Sequence, residues 1–300
     1  MKTLSLPSYA KINIGLSIRA KRGDGFHSIE TILQQISLKD HLRLSVASDD
    51  TVSFDCSDKS LPHDERNLCV KAAMLLKQVT GSRQGVAIRL EKRIPYGAGL
   101  GGGSSNAAVV LLGLNKLWQL GLSLDVLTKT AAAIGSDVPF FITGGTALAT
   151  GRGDRLRQVP NFLAKKTIFL AVPEARISTK WAYDQVNLNL TKKKKNVTLS
   201  RFKRGTSDNQ DILSSGVNDF EAVVFPQYPG LGDIKLRIAR RAEYASLSGS
   251  GSAVYGVFAN KQDADAVKFD ASSQIKTFVT HTVRWGFQQI SNPASDCQFS

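Results

Sequence analysis

Pro95-Tyr96-Gly97-Ala98-Gly99-Leu100-Gly101-Gly102-Gly103-Ser104-Ser105 is the stretch on which the reading of this chain turns. Five of the seven residues from Gly97 to Gly103 are glycine, a residue that adds no packing surface and raises the entropy cost of ordering. Such density serves backbone geometry instead: positive φ and close approach to a ligand. Upstream, Val86, Ile88 and Leu90 alternate with Ala87, Arg89 and Glu91, the period of a half-buried strand. Downstream, Val109, Leu112, Leu114 and Leu117 recur at helical spacing, with Ser104 or Ser105 as the expected cap. A glycine loop between a strand and a helix start offers unpaired N–H groups and a positive dipole end to an anion, most often phosphate.

Other glycine motifs fit less well. Gly97-x-Gly99-x-x-Gly102 satisfies the dinucleotide fingerprint, and Asp125 lies at a tolerable distance. Asp125, however, follows Gly121 and Ser123 and opens another helical pattern, so the second strand of that unit is missing. No Gly-Lys-Ser/Thr follows, as a Walker loop requires, and the His-Arg-Asp and Asp-Phe-Gly signatures of protein kinases are absent.

The 300 residues suit one large or two ordinary domains, and 42% hydrophobic with 21% charged residues is a globular composition. The longest apolar run, residues 107–114, is too short for a bilayer, and Pro7, Ser8 and Lys11 interrupt any signal-like segment. Cys56, Cys69 and Cys297 form no Cys-x-x-Cys pair, which argues against a disulfide or zinc frame and for a reducing cytoplasm. A net charge of +14 admits nucleic acid or an acidic small substrate. The clearest basic block, the lysines at 192–195, lacks interleaved aromatics and reads as a solvated loop, so neither a nucleic acid nor a membrane partner is expected.

Along the chain, residues 9–18 alternate, with Ile12, Ile14, Leu16 and Ile18 on one face and Lys11 and Asn13 sharing the other. Strands are expected at 29–38, 42–46 and 52–55, and helices at 67–79 and 124–134. Pro139 should push Val138 out of helical backbone, and Asp137 has the ordinary reading of a cap or turn residue. A strand over 143–150 and a Gly151-Arg152-Gly153-Asp154 turn close the first part. After a polar stretch at 161–166 come a strand at 167–172, a short helix at 181–186 and the segment Asn218-Asp219-Phe220-Glu221. Strands at 244–248, 253–259 and 278–285 follow, the first two separated by the glycine turn Ser248-Gly249-Ser250-Gly251-Ser252; residues 292–300 read as a frayed tail.

Three separated motifs, residues 10–16, 95–105 and 247–252, together resemble the GHMP small-molecule kinases over residues 8 to 260. Gly23-Asp24-Gly25-Phe26-His27, Glu65-Arg66-Asn67-Leu68 and Gly135-Ser136-Asp137-Val138-Pro139-Phe140 narrow the resemblance to the branch that acts on a cytidine diphosphate conjugate. The resemblance implies an α+β fold of two domains, a ribosomal-S5-domain-2-like one over 1–163 and a ferredoxin-like one over 164–300. It implies ATP as co-substrate with Mg²⁺, and transfer of the γ-phosphoryl group to a hydroxyl of a methylerythritol moiety in non-mevalonate isoprenoid synthesis. Lys11 and Asp137 match the catalytic pair; residues 95–105 with Asn67 match the ATP site; Asn13, Phe26, His27 and Tyr183 match substrate contacts. Trp181 competes with Tyr183 for the cytosine, since residues 177–183 lack the usual Pro-Thr pair. Tyr96 and Phe26 stand where methionine and tyrosine are common. No metal ligand is assigned; Ser105 is a weak candidate. The alternatives are another GHMP kinase, acting on homoserine, mevalonate or a sugar, and, more distantly, a basic RNA-binding protein with an S5-type domain. Oligomeric state leaves no mark in the sequence.

Overall fold

The computed structural model describes residues 2–186, 213, 216–270 and 273–291. The lysines at 192–195 and the tail from 292 lie outside them. Two long strands open the chain, β1 (Thr3–Lys21) and β2 (His27–Val46), paired antiparallel over almost their whole length. The two segments expected at 29–38 and 42–46 are thus one strand of 20 residues. The free edge of β2 is divided: its second half pairs with β4 (Val86–Glu91) and its first half with β5 (Thr146–Gly151). β3 (Val52–Cys56) runs parallel to β4, and β6 (Arg155–Gln158) closes the other end of this mixed sheet.

Helices α1 (Leu68–Thr80), α2 (Gly102–Leu117), α3 (Leu124–Ile134) and α4 (Val138–Thr143) cover one face. Their shared core joins Leu4, Leu42 and Ile88 of the sheet to Leu111, Leu127 and Phe140. Two expectations change here. α2 begins at Gly102 and is capped by Gly101 without a side-chain bond, so Ser104 and Ser105 lie inside its first turn and do not cap it. Val138 is helical, because Pro139 falls in the first turn of α4, where its missing N–H costs nothing. Thr143 accordingly ends α4, and the next strand starts at Thr146.

The second layer is built from β7 (Thr167–Pro173), α5 (Thr179–Gln185), α6 (Glu221–Gln227), α7 (Pro229–Ala239), β8 (Tyr244–Leu247), β9 (Val254–Phe258), α8 (Lys261–Asp265) and β10 (Ile275–His281). Its antiparallel sheet has the order β10-β7-β9-β8, the arrangement of a ferredoxin-like βαββαβ unit. This sheet turns Ile168, Leu170, Tyr255 and Val257 onto Ile12, Ile14 and Ile32 of β1 and β2. Both faces of β1 are therefore buried, which accounts for the uninterrupted burial from Ala10 to Ile18. β10 stops at His281, short of the expected 285. The chain then crosses back to the first layer, where Trp285 N donates to Gln35 Oε1 and α9 (Phe287–Ser291) packs by α2.

Candidate active site

Lys11 and Asn13 project from the middle of β1 to the same side, as alternation requires, and both are buried. Lys11 Nζ donates to Asn13 Oδ1 at 2.5 Å and lies 3.7 Å from Asp137 Oδ2. Asn13 is held in turn: its Nδ2 donates to Thr31 Oγ1 at 3.2 Å, and Thr31 donates to Gly15 O. Asp137 stands at the cap position of α4 but makes no capping hydrogen bond. Its side chain is 39% exposed and turns to the cleft. Burial lowers the Lys11 ammonium pKa, and the Asp137 charge works against that shift. A cation short of solvent and beside a carboxylate is held ready for an anionic ligand.

The glycine loop docks on this pair. Lys11 N donates to Leu100 O at 3.0 Å, so the loop pairs with the outer edge of β1. Gly101 has φ +68°, and a Cβ there would fall 2.9 Å from Phe141 and 3.0 Å from the Lys11 side chain. On its other side the loop meets the second glycine turn: Ala253 N donates to Ala98 O and Ser248 Oγ to Gly99 O. A Cβ on Gly99 would lie 2.0 Å from Ser248 O. The first-turn N–H groups of α2 have no intrahelical acceptor by helix geometry, and with Gly101 as cap no side chain answers them.

Two cavities share this loop as a wall. The larger, of about 550 Å³, holds Lys11, Asn13, His27, Asp137 and Tyr183; the smaller, of about 190 Å³, runs from Leu68 and Lys92 along residues 95–104. Gly99, Gly101 and Ser104 face both. Asn67 faces neither: its Oδ1 caps α1 at Cys69 N, and its Nδ2 donates to Pro62 O. Ser105 is buried and accepts from Ser8 Oγ, so of the two serines Ser104 is the one at the cleft.

His27 and Tyr183 stack with ring centroids 5.0 Å apart and planes 9° off parallel. Phe220 meets Tyr183 edge-on, and the Arg152 guanidinium lies over Phe26. Trp181 packs instead against Tyr228, outside the cleft. Burial, with help from Lys21, lowers the His27 pKa against the pull of Asp184. Burial also pushes the Tyr183 phenol upward. The sequence marks Arg152 only as part of a turn and assigns Asn218 no role. Asn218 Nδ2 bonds Leu247 O and Gly249 O, bracing the second glycine turn. Only the tertiary arrangement discloses either contribution.

Family models describe residues 67–145 as a GHMP kinases N terminal domain and 197–276 as GHMP kinases C terminal. The chain is 43% identical over 277 residues to 4-diphosphocytidyl-2-C-methyl-D-erythritol kinase of Chlorobium chlorochromatii (strain CaD3), covering 91% of this chain and 94% of that one. The chain belongs to the 4-diphosphocytidyl-2-C-methyl-D-erythritol kinase family of GHMP kinases. Its relative from Chlorobaculum tepidum (strain ATCC 49652 / DSM 12025 / NBRC 103806 / TLS) is 40% identical over 272 residues, 89% of this chain and 93% of that one. A crystal structure of 4-(cytidine 5'-diphospho)-2C-methyl-D-erythritol kinase superposes with a TM-score of 0.75 at 30% identity, over 93% of this chain and 98% of that one. A mevalonate kinase structure superposes at 0.70 with 13% identity over 93% and 98%, a likeness of fold alone. Membership in the 4-diphosphocytidyl-2-C-methyl-D-erythritol kinase family makes the chain an ATP-dependent small-molecule kinase of the non-mevalonate isoprenoid pathway. Among the described residues no helix is long and apolar enough to cross a membrane.

Proposed function

We propose that the chain transfers the ATP γ-phosphoryl group to the 2-hydroxyl of 4-diphosphocytidyl-2-C-methyl-D-erythritol, in the cytoplasm and with no nucleic acid partner. The observation that carries this reading is the meeting of Lys11 and Asp137 beside the start of α2, where no side chain caps the helix, at the wall common to both cavities. The smaller cavity takes ATP, with its phosphates over residues 97–104, and the larger takes the conjugate. Phosphoryl transfer asks for positioning and charge neutralisation more than for covalent chemistry. Asp137 accepts the proton of the attacking hydroxyl. Lys11, steadied by Asn13, offsets charge on the group in transit.

Mg²⁺ retains most of its waters and phosphate oxygens and needs one or two protein oxygens. No cluster of three acidic, His or Cys side chains exists among the described residues, and that sparse demand suits the donor set here. Asp137 and the Ser104 hydroxyl would hold it, and when bound it neutralises the phosphate chain.

The cytosine is placed at Tyr183, His27 and Phe26. His27 lies against Tyr183 at stacking distance, and both line the larger cavity. In this reading the base stacks on an aromatic face of the pocket, and the neutral His27 edge reads its hydrogen-bonding groups. ATP consumption measured with the cytidine conjugate, mevalonate and homoserine tests the proposal. Turnover confined to the conjugate is expected; comparable turnover with either other acceptor overturns it.

A further inference from the structure

Asp40 of β2 is fully buried, has no contact with the cleft, and accepts four hydrogen bonds. Oδ1 takes Arg93 N and Ile94 N, each at 2.7 Å; Oδ2 takes Lys92 Nζ at 2.8 Å and Asn106 Nδ2 at 2.9 Å. The donors fall on both sides of the glycine loop: residues 92–94 lead into it, and Asn106 lies on α2 just after it. The place is also particular. β4 leaves β2 at the pair His41–Glu91, so past that point no ladder holds the chain, and the next residue of β2 supplies a carboxylate in its stead.

Directly across the β1–β2 ladder from Asp40 stands Ser8. Its hydroxyl donates to Ser105 Oγ at 2.8 Å and accepts from Asn106 Nδ2 at 2.9 Å. One register pair thus carries the first turns of α2 and the exit of β4 together. Lys92 completes the tie, since its ammonium also reaches Ile94 O. A Cβ on Gly102 would lie 3.1 Å from the Lys92 Nζ.

We propose that Asp40 is a positioning residue for nucleotide binding, a clamp that fixes both ends of the phosphate loop at one carboxylate. This rests on residues 95–105 being the phosphate loop. The physical reason is entropic: glycines make the loop able to adopt its shape and equally able to leave it. Tying entry and exit to one buried group lowers the ordering cost that ATP binding would otherwise meet. A carboxylate is required because all four partners are donors; Asn would turn an N–H toward one pair of them, leaving buried donors opposed.

The experiment is calorimetric binding of ADP, with separate KM values for ATP and for the cytidine conjugate, in Asp40→Asn and Asn106→Ala. In Asp40→Asn the ADP dissociation constant should rise about tenfold or more, the usual cost of losing hydrogen bonds to a buried charge. KM for ATP should follow while KM for the conjugate stays within about twofold. Amide exchange should quicken at residues 97–104 and not in β7 or β9. Asn106→Ala removes only the downstream tie and should weaken ADP binding in the same direction; it decides the matter if Asp40→Asn does not fold. ADP affinity within about twofold of wild type in the folded variants, or ATP and conjugate KM rising together, overturns the clamp. Gly102→Val separates the two readings. If it spares ADP affinity, the loop is not the phosphate site; if it abolishes affinity while Asp40→Asn and Asn106→Ala preserve it, the clamp alone fails.

Discussion

At Asp137 a single carboxylate occupies a position with two uses, and its contacts separate them. The helix-capping use is not taken up, since the side chain makes no bond to α4, while Lys11 Nζ lies 3.7 Å away. Asp137→Asn keeps the shape and removes the proton acceptor, so turnover should fall about 10²–10⁴-fold with ATP binding and the unfolding midpoint near wild type. Steady-state rates and thermal melts check this; turnover within a few-fold of wild type would return Asp137 to a structural turn. His27 supplies a pH dependence. Burial lowers its pKa from the ordinary 6.5, so on acidification the unfolded chain takes up that proton first. Stability should therefore decline as pH falls below about 6.5 and level off once the folded ring has also titrated. Affinity for the conjugate, which uses the neutral ring, should hold through the ordinary value and drop only below it. Comparing wild type with His27→Gln in melts and in KM across this range isolates the effect.

Among the elements, the decisive contact is between two glycine turns from different parts of the chain. Gly99→Ala would place a Cβ 2.0 Å from Ser248 O, at a backbone φ of +75° that alanine rarely adopts. The loop and the second turn must then separate, and both the melting temperature and the ATP KM should worsen. Gly102→Val is different in kind. Gly102 is the first helical residue of α2, so no positive φ is at stake; the added side chain would press on Ile94 and on the Lys92 ammonium, with its Cβ 3.0–3.1 Å from them. Because Gly102 also lines the smaller cavity, nucleotide affinity should fall along with stability, and a loss of stability with affinity unchanged would assign this glycine to the fold alone. β1 is stitched to the second sheet by Tyr255, whose buried hydroxyl donates to Asn13 O at 2.7 Å. Tyr255→Phe should cost about 1–3 kcal/mol, the usual penalty for stranding a buried polar partner, measured by denaturant unfolding.

For the molecule as a whole, the proposed cytosine pocket is assembled from both layers, whereas the proposed reacting pair comes from one. Tyr183 and Phe220 belong to the second layer, whereas Lys11, Asp137 and His27 come from the first. An aromatic face contributes about 1–3 kcal/mol of stacking per base, and that binding energy positions a remote hydroxyl. The kinase should therefore favour the cytidine diphosphate conjugate strongly over methylerythritol 4-phosphate, and His27→Ala should erode the preference. Comparable kcat/KM for the two acceptors would remove the cytosine pocket.

Much of this was legible in the chain itself, because it depends on local periodicity and on residue types with few alternative uses. The alternation of residues 9–18 puts Lys11 on one face with Asn13, and glycine density marks the loop without reference to any contact. The apolar spacing that marked helices over 67–79 and 124–134 followed the same logic, and α1 and α3 lie there. What local pattern does not carry is the partner on the other side of a contact. Ser104 rather than Ser105 faces the cleft because α2 starts at Gly102 and rotates them differently. Asn67 is spent on capping, and Trp181 is taken by Tyr228, leaving Tyr183 at the site. Arg152 reaches Phe26, and Asp40 gathers donors 52 to 66 residues away, only once the sheet has brought them together. Sequence determined the strand, the loop and the chemistry each residue can perform. The choice among equivalent residues fell to tertiary structure, because it turns on which neighbours exclude water and which hydrogen bonds are already made.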